Sequence, residues 1–180
     1  AGNFNNFDLE DFPAAVGQSQ PVTPWVSVSP DYFRLLGLSL IDGRLLEDRD
    51  GAAANLESVV VDRAWARRFF PKQSAVGKRF HQGGCTTCPW TTVVGVVSEV
   101  KYAGLDKPDD GTVYTAMPAQ GSSSPARVRF VLARTDVDAI SLASSVRQIV
   151  RELDPSVPLS GLATFDDLVD QSLLRPRSIS

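Results

Sequence analysis

Cys85 and Cys88 are the residues whose type and spacing point most directly to chemistry, in the order Cys85-Thr86-Thr87-Cys88. Two cysteines separated in this way occur in thioredoxin-like redox pairs, in zinc sites and in short-range disulfides. A redox pair needs its first cysteine at a helix N-terminus, whereas Pro89 and a predicted strand follow here. Zinc usually takes four ligands, and His81 is the one further ligand that the sequence offers. A structural disulfide, free thiols and a metal or redox role all remain open, and the disulfide is favoured.

The acidic segment after Leu46 has part of the spacing of a calcium loop. If Gly51 is the sixth position of an EF-hand, then Asp48, Asp50 and Glu57 occupy the third, fifth and twelfth. The first ligand position is nevertheless Leu46, and the sequence predicts no flanking helices of sufficient length. The pattern therefore favours an acidic surface loop, and no metal is predicted.

Two further motifs lack residues that their chemistry requires. Gly77-Lys78 lacks the upstream glycine of a phosphate-binding loop, and Arg79 stands where Ser or Thr is needed. The single histidine lies in a glycine-rich loop and gives no basis for a Ser-His-Asp triad. The sequence thus predicts no catalytic residue and no cofactor.

Composition sets the broad class of protein. The chain has 180 residues, of which 43% are hydrophobic and 22% charged, values typical of a globular domain or two small lobes. A net charge of -3 and a pI near 5.1 argue against nucleic-acid binding, which requires a basic surface. The chain begins at Ala1 without an initiator Met, so we expect it to be a piece of a longer protein.

The elements that must position these residues are organised around residues 29–44. Ser29 and Pro30 predict a helix start, since Ser is a good N-cap and Pro fits the first helical turn. We expect Tyr32, Phe33 and Leu36 to be core residues, and Gly37 and Gly43 to lie at turns. None of these residues is a nucleophile or a general base.

Strand and helix patterns continue along the rest of the chain. Residues 1–24 read as partly ordered coil with a short strand, and residues 47–55 as a surface loop. Strands are predicted at 25–28, 58–61, 76–80, 92–97, 112–117 and 127–133, and Gly95 indicates a bulge or a close backbone approach. Helices are predicted at 63–70, capped by Asp62, then up to Leu153 after a cap at Asp136 or Asp138, and after Thr164. The last helix should bury a stripe that includes Phe165 and Leu168. This order implies an α+β protein with a mixed sheet.

A series of short motifs in a fixed order resembles a known family. The series is Ser29-Pro30-Asp31-Tyr32-Phe33, Leu36-Gly37, Gly43-Arg44, Val59-Val60-Val61, Phe69-Phe70-Pro71, Val76-Gly77-Lys78 and Val94-Gly95-Val96-Val97. Together, over residues 20–175, it is similar to the MacB-type periplasmic core domain of MacB and FtsX-like ABC transporter permeases. Within that group the chain looks most like the acidobacterial duplicated permease type.

This resemblance implies two lobes. A membrane-proximal, mixed α/β porter-like lobe would be built from both chain ends, residues 1–46 and 111–180. A smaller α+β lobe, residues 47–110, would be inserted between them. In the family one transmembrane helix precedes the domain and another follows it.

The resemblance also implies a function without catalysis. The chain would be the extracytoplasmic, periplasmic domain of an inner-membrane ABC transporter permease, and would transmit ATP-driven helix motion to a substrate or periplasmic partner. Its partners would be the transmembrane helices of its own parent chain, indirectly a cytoplasmic ATP-binding subunit, and a periplasmic adaptor or substrate, with no nucleic acid. The periplasmic location favours the disulfide between Cys85 and Cys88.

Two loops are the predicted partner contacts. One begins with Gln82 and ends with Trp90, and the other begins with Gln120 and ends with Pro125. The alternative function is a stand-alone extracytoplasmic ligand- or peptide-binding module, and a Cys-dependent redox enzyme is the third hypothesis.

Overall fold

The computed structural model describes residues 3–15, 17–52, 56–85, 87–99, 111–118, 130–139, 141–159 and 161–174. The chain divides into two compact units, Ala1–Leu132 and Ala133–Ser180. The first unit contains β1 (Asn3–Leu9), β2 (Val22–Val28), α1 (Tyr32–Leu35), β3 (Leu40–Gly43), α2 (Asp48–Ala52), β4 (Ser58–Asp62), α3 (Arg63–Phe69), β5 (Arg79–Gln82), β6 (Thr91–Val97) and β7 (Val113–Ala116). The second contains α4 (Ala143–Leu153) and α5 (Phe165–Leu174).

The strands form one mixed sheet in the order β3-β6-β4-β7-β2-β1-β5. β2 is parallel to β7 and β4 is parallel to β6, whereas the other pairs are antiparallel. An additional pairing of β5 with β6 closes β6, β4, β7, β2, β1 and β5 into a ring. β5 pairs with the start of β6 and β3 with its end, so the two strands share one edge of β6. The mixed α/β class with dominant strands agrees with the prediction of a mixed sheet.

The interior of the ring is an aromatic and aliphatic cluster to which every strand of the ring contributes. Its ring-strand members are Phe7, Leu9, Trp25, Val59, Val61, Phe80, Val93, Val96 and Val113. Trp65 of α3 joins them, with its ring centroid 5.8 Å from those of Phe7 and Phe80. Burying this much aromatic surface is the main source of stability for the unit.

β4 and β6 are buried on both faces, as their runs of β-branched residues predict. In β4, Val59 and Val61 face the aromatic cluster, while Val60 faces a second cluster with Phe33 and Tyr114. The register between the two strands shifts between Val59 and Val60. At Gly95 of β6 a Cβ atom would lie 2.0 Å from the carbonyl oxygen of Arg44. The predicted bulge and the close backbone approach are thus both confirmed.

The first helix is correctly predicted, but its start is not. The N-cap of α1 is Asp31 rather than Ser29, whose backbone carbonyl accepts a 3.0 Å hydrogen bond from the Tyr32 amide. A turn precedes the helix here, so the Ser29 side chain stands too early to cap it. Phe33 is fully buried, and Gly37 has a φ of +67°, the left-handed conformation expected at a helix end.

Other core and turn predictions of this stretch hold in part. Tyr32 and Leu36 are half-buried, and Tyr32 packs against the second cluster. Gly43 has a φ of +72° and ends β3.

The cap of α3 is confirmed. Asp62 is fully buried, and its carboxylate accepts a 2.8 Å hydrogen bond from the Trp65 amide. Its other oxygen accepts one of 2.9 Å from the Thr112 amide, next to β7. A single side chain therefore both starts the helix and ties it to a strand distant in sequence.

Three segments differ from their predictions. Asn3–Leu9 is a full strand, because Phe7 and Leu9 alternate with polar residues and enter the core. Residues 48–52 form a short helix instead of a loop. Of the strand predicted at 127–133, the described residues 130–133 have no regular structure, and the others lie outside the described residues.

The second unit departs most from prediction. The N-cap of α4 is Leu142, and neither Asp136 nor Asp138 takes that position; Asp138 instead accepts a 2.9 Å hydrogen bond from the Ser141 amide, in the turn before the helix. The predicted cap of α5 is confirmed, since the Asp167 amide donates to Thr164 Oγ1 at 3.1 Å.

Most of the described large apolar side chains of these helices are exposed rather than buried. Leu153 is 81% exposed, Phe165 56% and Leu168 50%, which corrects the expected buried stripe. Within its described residues this unit contains the two helices and no strand, so it offers no sheet of its own to cover them.

The sheet crosses both predicted lobe boundaries. β1 to β3 lie in residues 1–46, β4 to β6 in residues 47–110, and β7 follows, yet all share hydrogen-bonded neighbours. The assignment of two lobes stays a prediction. Any such division has to separate strands that are hydrogen-bonded to one another in this sheet. Among the described residues, no helix combines the length and the apolar character needed to span a bilayer.

Candidate functional site

The first predicted contact loop lies between two adjacent strands. Gln82 is the last residue of β5 and Trp90 immediately precedes β6. Gln82 is exposed, and Trp90 keeps 37% of its surface exposed. Gln120 and Pro125, the ends of the second predicted loop, lie outside the described residues.

Cys85 and Cys88 form a disulfide within this loop. The Cys85 amide donates a 3.1 Å hydrogen bond to the carbonyl oxygen of Gln82, which makes a tight turn after β5. In the part of the chain that the structure describes, no three His, Cys, Asp or Glu side chains are grouped to hold a metal ion. The loop is therefore fixed covalently at its centre.

Trp90 is held by the side chains of β5. Its ring centroid lies 4.4 Å from that of His81, and the Arg79 guanidinium lies 5.6 Å from the indole centroid. Arg79 Nε in turn donates a 2.7 Å hydrogen bond to the Glu10 carboxylate, which raises the pKa of Arg79. These contacts keep a large aromatic side chain at the surface in a defined position.

A polar network lies beside the loop on the outer face of β1. Asn6 Nδ2 donates a 2.6 Å hydrogen bond to Gln20 Oε1, and Gln20 Nε2 donates to the Asp8 carboxylate. The Gly83 amide donates to the Asn6 carbonyl oxygen at 3.0 Å. A Cβ atom at Gly83 would lie 2.2 Å from Gln20 Oε1, so a larger residue here would require the Gln20 and Asn6 side chains to move.

An open groove of about 460 Å³ lies between the N-terminal segment and the loop. Its floor comes from strands, with Asp8 of β1 opposite His81 of β5 in the sheet register. The lining residues are Asp8, Pro13, Ala14, Ala15, Gln18, Gln20, His81 and Trp90. The groove thus combines one carboxylate, two amides, an imidazole and an indole.

In the candidate calcium loop, the Asp50 carboxylate is bound by a basic side chain. Arg44 donates hydrogen bonds of 2.7 and 2.8 Å to the two oxygens of Asp50, and the Glu47 amide donates a third of 2.8 Å. The hydrogen bond from Arg44 lowers the pKa of Asp50 to about 2. The segment is an ion-paired short helix, which differs from the acidic surface loop that the sequence favoured.

Sequence reasoning missed Asp8 and Gln20 as members of a site. The signal available was the alternation in β1, where Asn6 and Asp8 are polar between the apolar Phe7 and Leu9. Their convergence with His81 and Trp90 depends on the pairing of β1 with β5, which joins residues far apart in the chain.

Comparison with known proteins gives one family and several similar folds. A model of the MacB-like periplasmic core domain matches residues 8–150. The periplasmic region of MacB from Actinobacillus actinomycetemcomitans has 18% sequence identity and a TM-score of 0.63, covering 98% of this chain and 74% of that one. A domain of a protein assigned as a permease from Porphyromonas gingivalis has 18% identity and a TM-score of 0.54, covering 92% of this chain and 77% of that one. No curated protein sequence matches the chain.

The family match spans most of the chain and includes all the residues that line the groove, from Asp8 to Trp90. The two solved structures share its fold at low identity. The chain therefore belongs to the MacB-like periplasmic core domain family, the periplasmic domains of ABC transporter permeases.

Proposed function

We propose that this domain transmits ATP-driven motion of transmembrane helices to a substrate or a periplasmic partner, without catalysis of its own. It would stand on the periplasmic side of the inner membrane, joined to transmembrane helices of its parent chain and coupled through them to a cytoplasmic ATP-binding subunit. A periplasmic adaptor or the substrate itself would receive the motion.

The observation that carries this proposal is membership of the MacB-like family over residues 8–150. The closed ring of strands supports it physically. A close-packed core resists deformation, so a displacement applied at one point of the first unit moves the unit as a whole.

Within the part of the chain that the structure describes, we propose the loop from Gln82 to Trp90 as the surface that contacts a partner. Its exposed indole, its disulfide and its tight contact with β1 give an ordered surface that loses little entropy when a partner binds. We also propose the loop from Gln120 to Pro125 as a second contact surface. The division into two lobes is part of the same proposal, and it has to be compatible with one sheet that contains strands from both lobes.

Distance measurements between spin labels test the transmission. The full permease, with its ATP-binding subunit in lipid nanodiscs, would carry Ser29→Cys in the first unit and Ser144→Cys in the second. Both residues are exposed, and the native cysteines are joined in a disulfide. We expect the distance between the labels to change by roughly 2–5 Å between the nucleotide-free and the vanadate-trapped states.

A pair within the first unit is the control. Ser29→Cys combined with Lys72→Cys, also exposed, should keep one distance in both states because the ring of strands is rigid. Unchanged distances in both pairs during ATP turnover would contradict the proposal. A change in the control pair would contradict the rigid-unit argument.

A stand-alone ligand- or peptide-binding module is the second candidate. The groove beside Trp90 favours it, because it brings polar and aromatic groups together at the surface. Binding by the isolated chain, with no effect of nucleotide state in the full permease, would favour this candidate over transmission.

A further inference from the structure

We propose that the groove beside the Cys85–Cys88 loop binds an organic ammonium group, with Asp8 as its counter-ion and Trp90 as its aromatic wall. This inference is independent of the transmission function, since a domain can transmit motion with or without a ligand in the groove. The class of ligand follows from the negative charge of Asp8 and the aromatic ring of Trp90.

The carboxylates at and near the groove differ in how their charges are paired. Glu10 is bound by Arg79 through two hydrogen bonds, and Asp11 pairs with Lys78 at 2.5 Å. Asp8, which lines the groove, instead accepts its hydrogen bond from the neutral Gln20 amide. Of the described residues that line the groove, none is Lys or Arg. The groove therefore has a carboxylate whose charge is not balanced by a basic side chain in its lining, which favours a cationic ligand.

Trp90 provides the aromatic surface of the groove. An indole is the best aromatic partner for a cation, and an ammonium group within about 6 Å of its ring is attracted by the ring quadrupole. Trp90 lines the groove and keeps 37% of its surface exposed, and the His81 ring packs against it at 4.4 Å, so a ligand would meet the exposed part of the indole. The Arg79 guanidinium lies 5.6 Å from the same ring, but the Glu10 carboxylate balances its charge. The Asp8 carboxylate therefore makes the net charge of the groove negative.

The remaining lining fits the other parts of such a ligand. An ammonium group has three donors, and Gln18 offers an amide oxygen in addition to the Asp8 carboxylate. Pro13 and Ala14 provide apolar surface for an attached chain. A volume of about 460 Å³ is within the range of small-molecule sites.

Three probes of equal length separate charge from shape: n-pentylammonium, n-pentanol and pentanoate. Each would be titrated into the 180-residue chain while the indole signal of Trp90 and the side-chain amide signals of Gln18 and Gln20 are followed by ¹H–¹⁵N NMR. We expect pentylammonium to bind at least about fivefold more tightly than pentanol, and pentanoate to bind least, because of Asp8 and Trp90. Equal affinities for the three probes would overturn the proposal.

Two substitutions locate the effect. Asp8→Asn removes the charge but keeps an oxygen that can accept from Gln20, so the preference for pentylammonium should fall below about twofold. Asp31→Asn removes an equal charge from an exposed ion pair with Arg34, outside the groove lining, and should leave the preference unchanged. A preference that survives in Asp8→Asn, or that is lost equally in Asp31→Asn, would overturn the assignment to the groove. If a probe binds but the side-chain amide signals of Gln18 and Gln20 do not shift, the assignment to the groove would also be overturned.

Discussion

The core of the first unit and the helices of the second bury their apolar side chains to opposite extents. Trp65 and Phe80 are fully buried in the aromatic cluster. In the second unit, Leu153 is 81% exposed and Phe165 56% exposed, although both belong to apolar stripes with helical spacing.

Periodicity therefore specifies which side of a helix is apolar, but not what covers that side. In α3 the apolar side faces a closed ring of strands, and the burial of Trp65 follows from that ring. Most helical stability in proteins comes from such packing rather than from intrinsic propensity. The second unit should therefore contribute little stability through α4 and α5 themselves.

Removing an aromatic ring from the core gives the largest expected difference between the units. Trp65→Ala deletes a side chain in ring contact with Phe7 and Phe80 and should lower the free energy of unfolding by about 3–5 kcal/mol. Ile149→Ala, at a position 54% exposed in α4, should lower it by less than about 1 kcal/mol. Urea unfolding followed by circular dichroism measures both. Similar losses for the two variants would break the comparison.

Removing the cap of α3 should also destabilise the protein more than removing the cap of α5. The difference in unfolding free energy should be smaller than for the core substitution. Asp62→Ala leaves the buried amides of Trp65 and Thr112 without their carboxylate, and we expect a loss of about 2–3 kcal/mol. Thr164→Ala removes the exposed cap of α5 and should cost about 0.5–1 kcal/mol.

Asp62→Asn is the matched control for the first cap, because its amide oxygen can still accept one of the two bonds. It should retain part of the stability lost in Asp62→Ala. Native-state hydrogen exchange of the α3 and α5 amides would report each helix separately, and a greater loss at α5 would refute the ranking.

The smallest effect concerns the response of the units to acid. The pKa of Asp50 is lowered to about 2, first by its hydrogen bond from Arg44, whereas an unfolded Asp has 3.8. Because the folded pKa is the lower one, the stabilisation is present above pH 3.8 and is lost as the pH falls toward 2. Since Arg44 is 34% exposed, we expect a loss of about 1 kcal/mol after solvent screening.

Asp167 is the counterpart in the second unit. Its hydrogen bond with the Thr164 side chain lowers its pKa, but the group is exposed. Carboxyl ¹³C titration should place the Asp50 midpoint near 2 and that of Asp167 below 3.8. In Asp50→Asn the acid-induced loss between pH 4 and 2 should shrink. An Asp50 midpoint at its ordinary value would contradict the ion pair.

Local signals in the sequence predicted several parts of the fold. Asp62 before an apolar helix predicted the cap of α3, and Gly95 within a run of valines predicted the bulge in β6, because both depend on nearest neighbours. Ser29 failed as a cap because a turn separates it from α1, a difference of position that residue preference does not resolve.

The groove could not be predicted, because its residues come from separate parts of the chain. Asp8 and His81 face each other only after β1 pairs with β5. The sequence did indicate the loop that ends at Trp90, since the glycines and cysteines mark a turn between strands. It gave no sign that residues 13–15, 18 and 20 would line the same groove.

The pairing of β2 with β7 has a consequence for how the chain acquires its structure during synthesis. Trp25 lies opposite Val113, so the ring cannot close before residues 113–116 have left the ribosome. Until then, β2 can pair with β1 but its other edge is unpaired, so the sheet stays open at that edge. Topologies dominated by such distant pairings fold slowly, on the scale of milliseconds to seconds. The nascent domain should therefore remain open, with the rings of Phe7 and Trp25 accessible to chaperones, through most of its translation.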